Sequence, residues 1–210
     1  MKNMVRMIIF LVSLACIFSA CNRTNDAVSN PNPSNSDSVE NSGITIDDLK
    51  NPQVIEDTKF YKILQGEGNF YYYYILDGQN EVVDEMGFYR KAPQLSLVDE
   101  IVKVYIQLGT GAGTIRTRYY DTKEGLLSEW FYSVYDEDNR LLVYSDHNKL
   151  IVQNIFDKSS YYREFQNFSK KLLETGEPFT NVSFVNDGTE LKVTYITTDL
   201  NEVTETISLK

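Results

Sequence analysis

The sequence predicts an all-β fold, and three observations carry that prediction. Apolar residues fall in short runs separated by Gly, Asn and Asp, and several runs alternate with a period of two. Aromatic, β-branched and Thr residues fill those runs, with 15 Tyr and 11 Phe in 210 residues. The only clear helical spacing sits in one ambiguous segment near residue 165. A single antiparallel domain over residues 46–210 is expected, about 165 residues and enough for one sizeable core. Its architecture reads as a β-sandwich or as a small or partial propeller-like stack of sheets.

The elements follow in order. "TIDDLKNPQ" (45–53) has the makings of one short helical turn, capped at Thr45 or Asp47 and stopped before Pro52. "FYKIL" (60–64) is the first strand. "NFYYYYIL" (69–76) is the second, and Asp77-Gly78 after it is a hairpin signal. The strand period puts Tyr71 and Tyr73 on one face and Phe70, Tyr72 and Tyr74 on the other. "IVKVYIQL" (101–108) alternates cleanly, with Val102, Val104, Ile106 and Leu108 on one side. "TIRTRYY" (114–120), "LLSEWFYSV" (126–134), "LLVYS" (141–145) and "KLIVQNIF" (149–156) read as further strands. In "SSYYREFQNFSKKLLETGEP", a strand near 161–166 competes with a helix built on Tyr161, Phe165, Phe168 and Leu172. The chain closes on "NVSFV" (181–185), the turn Asn186-Asp187-Gly188, "ELKVTYIT" (190–197) and "VTETISL" (203–209). Leu191, Val193 and Tyr195 are predicted to point inward. "SFVNDGTELKVTYIT" resembles the hairpin of a β-propeller blade, although the spacing of such units along the chain is uneven.

The N-terminus is of another kind. Lys2 and Arg6 precede the apolar run Met7 to Ala20. That run is shorter than the roughly 20 residues a membrane span needs, and it has the length of a signal-peptide core. It ends in Phe18-Ser19-Ala20-Cys21. These four residues resemble the lipobox of bacterial lipoproteins, with Phe18 where Leu is usual. The resemblance implies that residues 1–20 are a signal peptide. It also implies that Cys21 receives a diacylglyceryl group and that the chain is cut before it; in that family the new amino end is often acylated. Two or more acyl chains give stable anchoring where one is marginal. Residues 21–45 follow as a disordered, lipid-anchored tether, since "NRTNDAVSNPNPSNSDSVENS" has almost nothing apolar to bury. The implied location is the cell envelope, facing outward on the cytoplasmic or the outer membrane.

Composition limits the chemistry. The cysteines are Cys16 and Cys21 alone, so a mature chain cut before Cys21 has no disulfide and no free thiolate. His147 is the single histidine, which rules out multi-histidine zinc sites. Formal net charge is −10, and losing Lys2 and Arg6 with the signal makes it −12. That charge repels phosphate backbones, so nucleic-acid binding is not expected.

The candidate functional residues are few. Tyr71, Tyr73, Trp130 and Tyr132 are candidate ligand contacts, because aromatic rings turned outward on a sheet suit sugar rings or a peptide. "LGTGAGTIR" (108–116) places Gly109, Gly111 and Gly113 in a loop that could border such a site. A strand follows it rather than a helix, and no Walker lysine closes it, so it is not a phosphate loop. Asp136 and Asp138 in "YDEDNR" stand at alternate positions that could hold calcium, without the Gly and Glu of an EF-hand. No other cofactor is expected. The functional expectation is a non-catalytic binding module contacting an envelope protein, peptide or glycan. The alternatives are a carboxylate-dependent hydrolase such as a glycosidase and a structural envelope component.

Overall fold

The described residues form sixteen strands in four antiparallel sheets, and within each sheet successive strands pair in chain order except for β9 of the second. The structure is a computed structural model and describes residues 45–109, 114–174 and 177–210. Residues 1–44, where the signal segment, Cys21 and the tether are expected, lie outside the described residues, as do Gly111 and Gly113.

The first sheet joins β1 (Gln53–Asp57), β2 (Tyr61–Gly66), β3 (Phe70–Leu76) and β4 (Val82–Tyr89) in chain order. Its turns use the expected chemistry. Asp77 accepts the Gln79 and Glu81 amides at 2.7 and 2.9 Å, and Asn80 takes a positive φ of 67°. A 3₁₀ turn, Ile46–Asp48, precedes it. The Thr45 amide donates to the Asp48 carboxylate at 2.7 Å, so the turn predicted at Thr45 is present. Leu49 then lies on the outer face of this sheet with Leu64, Phe70 and Tyr72.

The second sheet holds β5 (Gln94–Val98), β6 (Ile101–Gln107), β7 (Ile115–Asp121) and the two-residue strands β8 (Leu126–Leu127) and β9 (Phe131–Tyr132), both paired with β7. The sequence reads 126–134 as one strand. Ser128 interrupts it: its hydroxyl accepts the Tyr119 amide at 2.9 Å and donates to the Glu129 carbonyl at 2.7 Å. A side chain thus replaces a ladder partner, and the chain steps away for three residues.

The third sheet runs β10 (Val134–Asp138), β11 (Leu141–Asp146), β12 (Lys149–Asn154) and β13 (Tyr162–Phe165). The fourth runs β14 (Phe179–Val185), β15 (Glu190–Ile196) and β16 (Glu202–Ser208). The strand reading near 161–166 holds, and no helix follows it. The amides of Lys170 and Leu173 go to the Tyr195 hydroxyl and the Ile196 carbonyl at 3.1 and 2.9 Å, not to residues four back. The helically spaced Phe168 instead packs on Phe179 and Tyr195, with ring centroids 5.3 Å away in each case.

Successive sheets share cores. Tyr61, Ile63, Tyr73 and Ile75 of the first pack with Val102, Val104, Ile106 and Tyr120 of the second. Tyr119 and Phe131 of the second pack with Leu142 and Ile155 of the third. Val143, Leu150 and Val152 of the third pack with Val182, Leu191, Val193 and Tyr195 of the fourth. Neighbouring residues on one strand therefore enter different cores, Tyr119 and Tyr120 on β7, Leu142 and Val143 on β11. β12, buried at four successive positions from Leu150 to Gln153, shows the consequence: a strand buried on both faces lacks alternation. The fourth sheet ends the stack. Lys192, Thr194, Thr204 and Thr206 share its outer face, and the Thr194 and Thr204 hydroxyls are 3.0 Å apart across the strands. A polar outer face is what a terminal layer needs.

Candidate functional site

The arginines of β7 define the site. Strand alternation puts Arg116, Arg118 and Tyr120 on the face of β7 that looks toward the first sheet, opposite Ile106, Val104 and Val102 of β6. On the other side of β7, the register sets Tyr132 directly across from Arg116. Trp130, two residues earlier and outside the strand, packs against the core shared by the first and second sheets. Each arginine is stacked on an aromatic ring: Arg116 on Tyr132 at 4.9 Å, and Arg118 on Trp130 at 5.2 Å.

The two arginines differ in their polar partners. Arg118 has two polar partners. Its Nη1 lies 2.7 Å from the Asp84 carboxylate on β4, and its Nε donates to the Ser128 carbonyl at 2.9 Å. The second oxygen of Asp84 accepts the Tyr73 hydroxyl at 2.9 Å. Burial pushes the Asp84 carboxyl above its ordinary value, against the pull of Arg118 and of the Tyr73 hydrogen bond. Burial also holds the Tyr73 hydroxyl well above the usual phenol range, so it remains a donor. The trio fastens the first sheet to the second.

Among the described residues Arg116 has no such partner. Its Nε is buried and finds no acceptor. The face of β4 that offers Asp84 continues with Met86 and Phe88, which supply no charged acceptor. Tyr132 is the outer wall of the pair and is 38% exposed.

The structure brings together some of the sequence candidates and separates others. Trp130 and Tyr132 lie side by side in the site. Tyr73 is fully buried and reaches the site only through Asp84. Tyr71 is half-buried against the same core, and its hydroxyl accepts Gln65 Nε2 at 3.4 Å. Gly109 stands at the neck of the β6–β7 hairpin, where a Cβ would come within 2.9 Å of Thr114. Asp136 and Asp138 lie in β10, not in a turn as their sequence context suggested. Asp136 accepts the Phe184 amide at 2.8 Å, and Asp138 fits against Gly188, so both face the fourth sheet. Among the described residues, no three His, Cys, Asp or Glu side chains are grouped for a metal. His147 is a turn residue beside Asp146, with its side chain 92% exposed.

Arg116, Arg118 and Asp84 are the site residues that sequence reasoning missed. A signal was present for two of them. "RTR" inside a strand puts both arginines on one face, and Trp130 and Tyr132 have the same two-residue period. Asp84 carried none, because its role depends on sheet stacking. No protein-family model matches the chain, and no curated protein matches it.

Proposed function

We propose that the mature chain is a lipid-anchored module of the bacterial cell envelope that binds a partner and does not catalyse a reaction. Phe18-Ser19-Ala20-Cys21 support the anchor. The paired stacks of Arg116 on Tyr132 and Arg118 on Trp130 are the observation that carries the binding function. Aromatic plates with a cation beside them suit a peptide, a glycan or an envelope protein, and the net charge of −10 disfavours nucleic acid. The buried carboxylate beside the site, Asp84, already serves Arg118 and Tyr73, which speaks for a fastener over a hydrolytic acid.

Two measurements test this reading. Cys21→Ala should release the protein from membranes or leave an unprocessed precursor; normal processing and membrane retention would refute the anchor. Thermal unfolding of the full chain against peptides, muropeptides, other glycans and calcium tests the binding. A ligand at about 100 times its dissociation constant adds roughly 2.7 kcal/mol. A shift that Tyr132→Ala removes supports the site. A calcium shift that Asp136→Asn removes would add a metal to this proposal. No shift with any of them turns the reading toward a structural component.

A further inference from the structure

The fourth sheet ends in an edge unlike the others. β16 pairs with β15, and its other side meets no strand among the described residues. An outer strand is a template for pairing with another chain, and proteins blunt it with a bulge or keep it short. The pairings of the outer strands β1, β4, β10 and β14 each contain a register shift. β5, β8 and β13 have 5, 2 and 4 residues. β16 has 7 residues in unbroken register with β15, with no proline or lysine among them. Every second one, from Glu202 to Ser208, is exposed.

The free main-chain groups of this edge follow from the hydrogen bonds at its two ends. The Thr197 amide donates to the Asn201 carbonyl, and the Leu209 amide donates to the Thr189 carbonyl, each at 2.9 Å. In an antiparallel ladder this turns the odd-numbered residues of β16 toward β15. The N–H and C=O groups of Glu202, Thr204, Thr206 and Ser208 therefore point away from the sheet.

Charge says what fits there. Glu202 begins the edge. Lys210 ends it, with Arg163 of β13 beside it, whose Nη1 donates to the Lys210 carbonyl at 3.0 Å. An antiparallel copy of the same edge lays its acidic end on this basic end. We infer that β16 pairs antiparallel with β16 of a second copy of this chain about a two-fold axis at Thr206, joining the two three-stranded sheets into one. Thr206 then exchanges main-chain hydrogen bonds with Thr206 of the second copy. Thr204 faces Ser208, Glu202 faces Lys210, and Glu205 faces Ile207, so no like charges stand opposite each other. The hydroxyl contact between Thr194 and Thr204, 3.0 Å apart, continues across the new pairing. The net charge of −10 on each chain opposes approach, so association depends on these contacts. The edge lies apart from the arginine site, so either reading stands or falls without the other.

Sedimentation equilibrium of the full chain in density-matched detergent tests the inference, and a monomer–dimer equilibrium is expected. Thr206→Pro removes the amide at the axis, which faces away from β15, so the ladder within the chain is kept. It should weaken dimerisation by about tenfold or more with an unchanged far-UV spectrum. Glu202→Lys and Lys210→Glu should each weaken it about fivefold, and the two together should restore it. A chain that stays monomeric up to millimolar concentration would overturn the inference. A dimer that survives Thr206→Pro would overturn it too, as would a double charge reversal no tighter than the single ones. If Thr206→Pro does not fold, the charge reversals decide alone.

Discussion

Arg118 and Asp84 show how much one residue can decide. Their ion pair is mostly removed from water, with side chains 21% and 10% exposed. Such a pair stabilises little by itself, but breaking it strands a charge at a cost of roughly 3–5 kcal/mol. Arg118→Ala should therefore lower unfolding free energy by about 3 kcal/mol. The double change Asp84→Leu with Arg118→Met should recover most of the loss. Urea unfolding of wild type, Arg118→Ala and the double variant checks this, and a double variant no more stable than Arg118→Ala would contradict the coupling. The pH dependence has a defined sign. The folded-state carboxyl of Asp84 is raised above its ordinary 3.8, so the folded protein holds a proton there that the unfolded chain has released. That contribution is fully present below pH 3.8 and is lost as pH rises through the folded value. Wild type should thus lose stability relative to Asp84→Asn over the window that opens upward from 3.8. The opposite slope would mean that Arg118 outweighs burial.

At the scale of the strand and the hairpin, turn chemistry and side-chain substitutes set the register. Asn186, Asp187 and Gly188 have φ values of 53, 52 and 72°, which make the β14–β15 turn. A Cβ on Gly188 would overlap the Asp138 carboxylate of β10 as well as strain the backbone. Gly188→Ala should cost more than the roughly 1–2 kcal/mol of turn strain alone. Gly188→Ala in an Asp138→Ala background should cost less, and thermal unfolding of the pair separates the two causes. Ser128 is a second such device. Ser128→Ala removes the acceptor of the buried Tyr119 amide and should destabilise by about 1–3 kcal/mol. Hydrogen exchange of that amide should speed up with it; unchanged protection would show that Ser128 is dispensable.

The whole molecule stands on three inter-sheet cores, without a disulfide in the described residues. Leu142 is fully buried between the second and third sheets and Leu191 between the third and fourth. Either change to Ala should cost about 2–5 kcal/mol. Because the layers share strands whose two faces serve two cores, loss in one should propagate. Unfolding of Leu191→Ala followed by near-UV signals from Trp130, in the second sheet, should shift together with the global transition. A separate transition for the fourth sheet would show that the stack comes apart by layers.

The sequence by itself determined the class of fold, the turns and most of the strands. Alternation in 101–108 and 190–197, and the Asp-Gly and Asn-Asp-Gly turns, are local properties that survive translation into structure. They also placed Tyr71 and Tyr73 on one face of β3. Strands β1, β4 and β5 escaped notice, because β1 has no buried residue, β5 has one, and β4 interrupts its apolar face with Asp84. The acidic run at 136–138 looked like a solvated turn because nothing local shows that Phe184 and Gly188 lie against it. Trp130 and Tyr132 were legible as candidates from their residue type and period. Only the stacking of the first sheet on the second decided that, among the described residues, Arg118 has a carboxylate and Arg116 has none. A sequence records which face of a strand a side chain takes, through a period of two. Which sheet that face meets, and whether a charge there finds its partner, is settled by contacts between residues far apart along the chain.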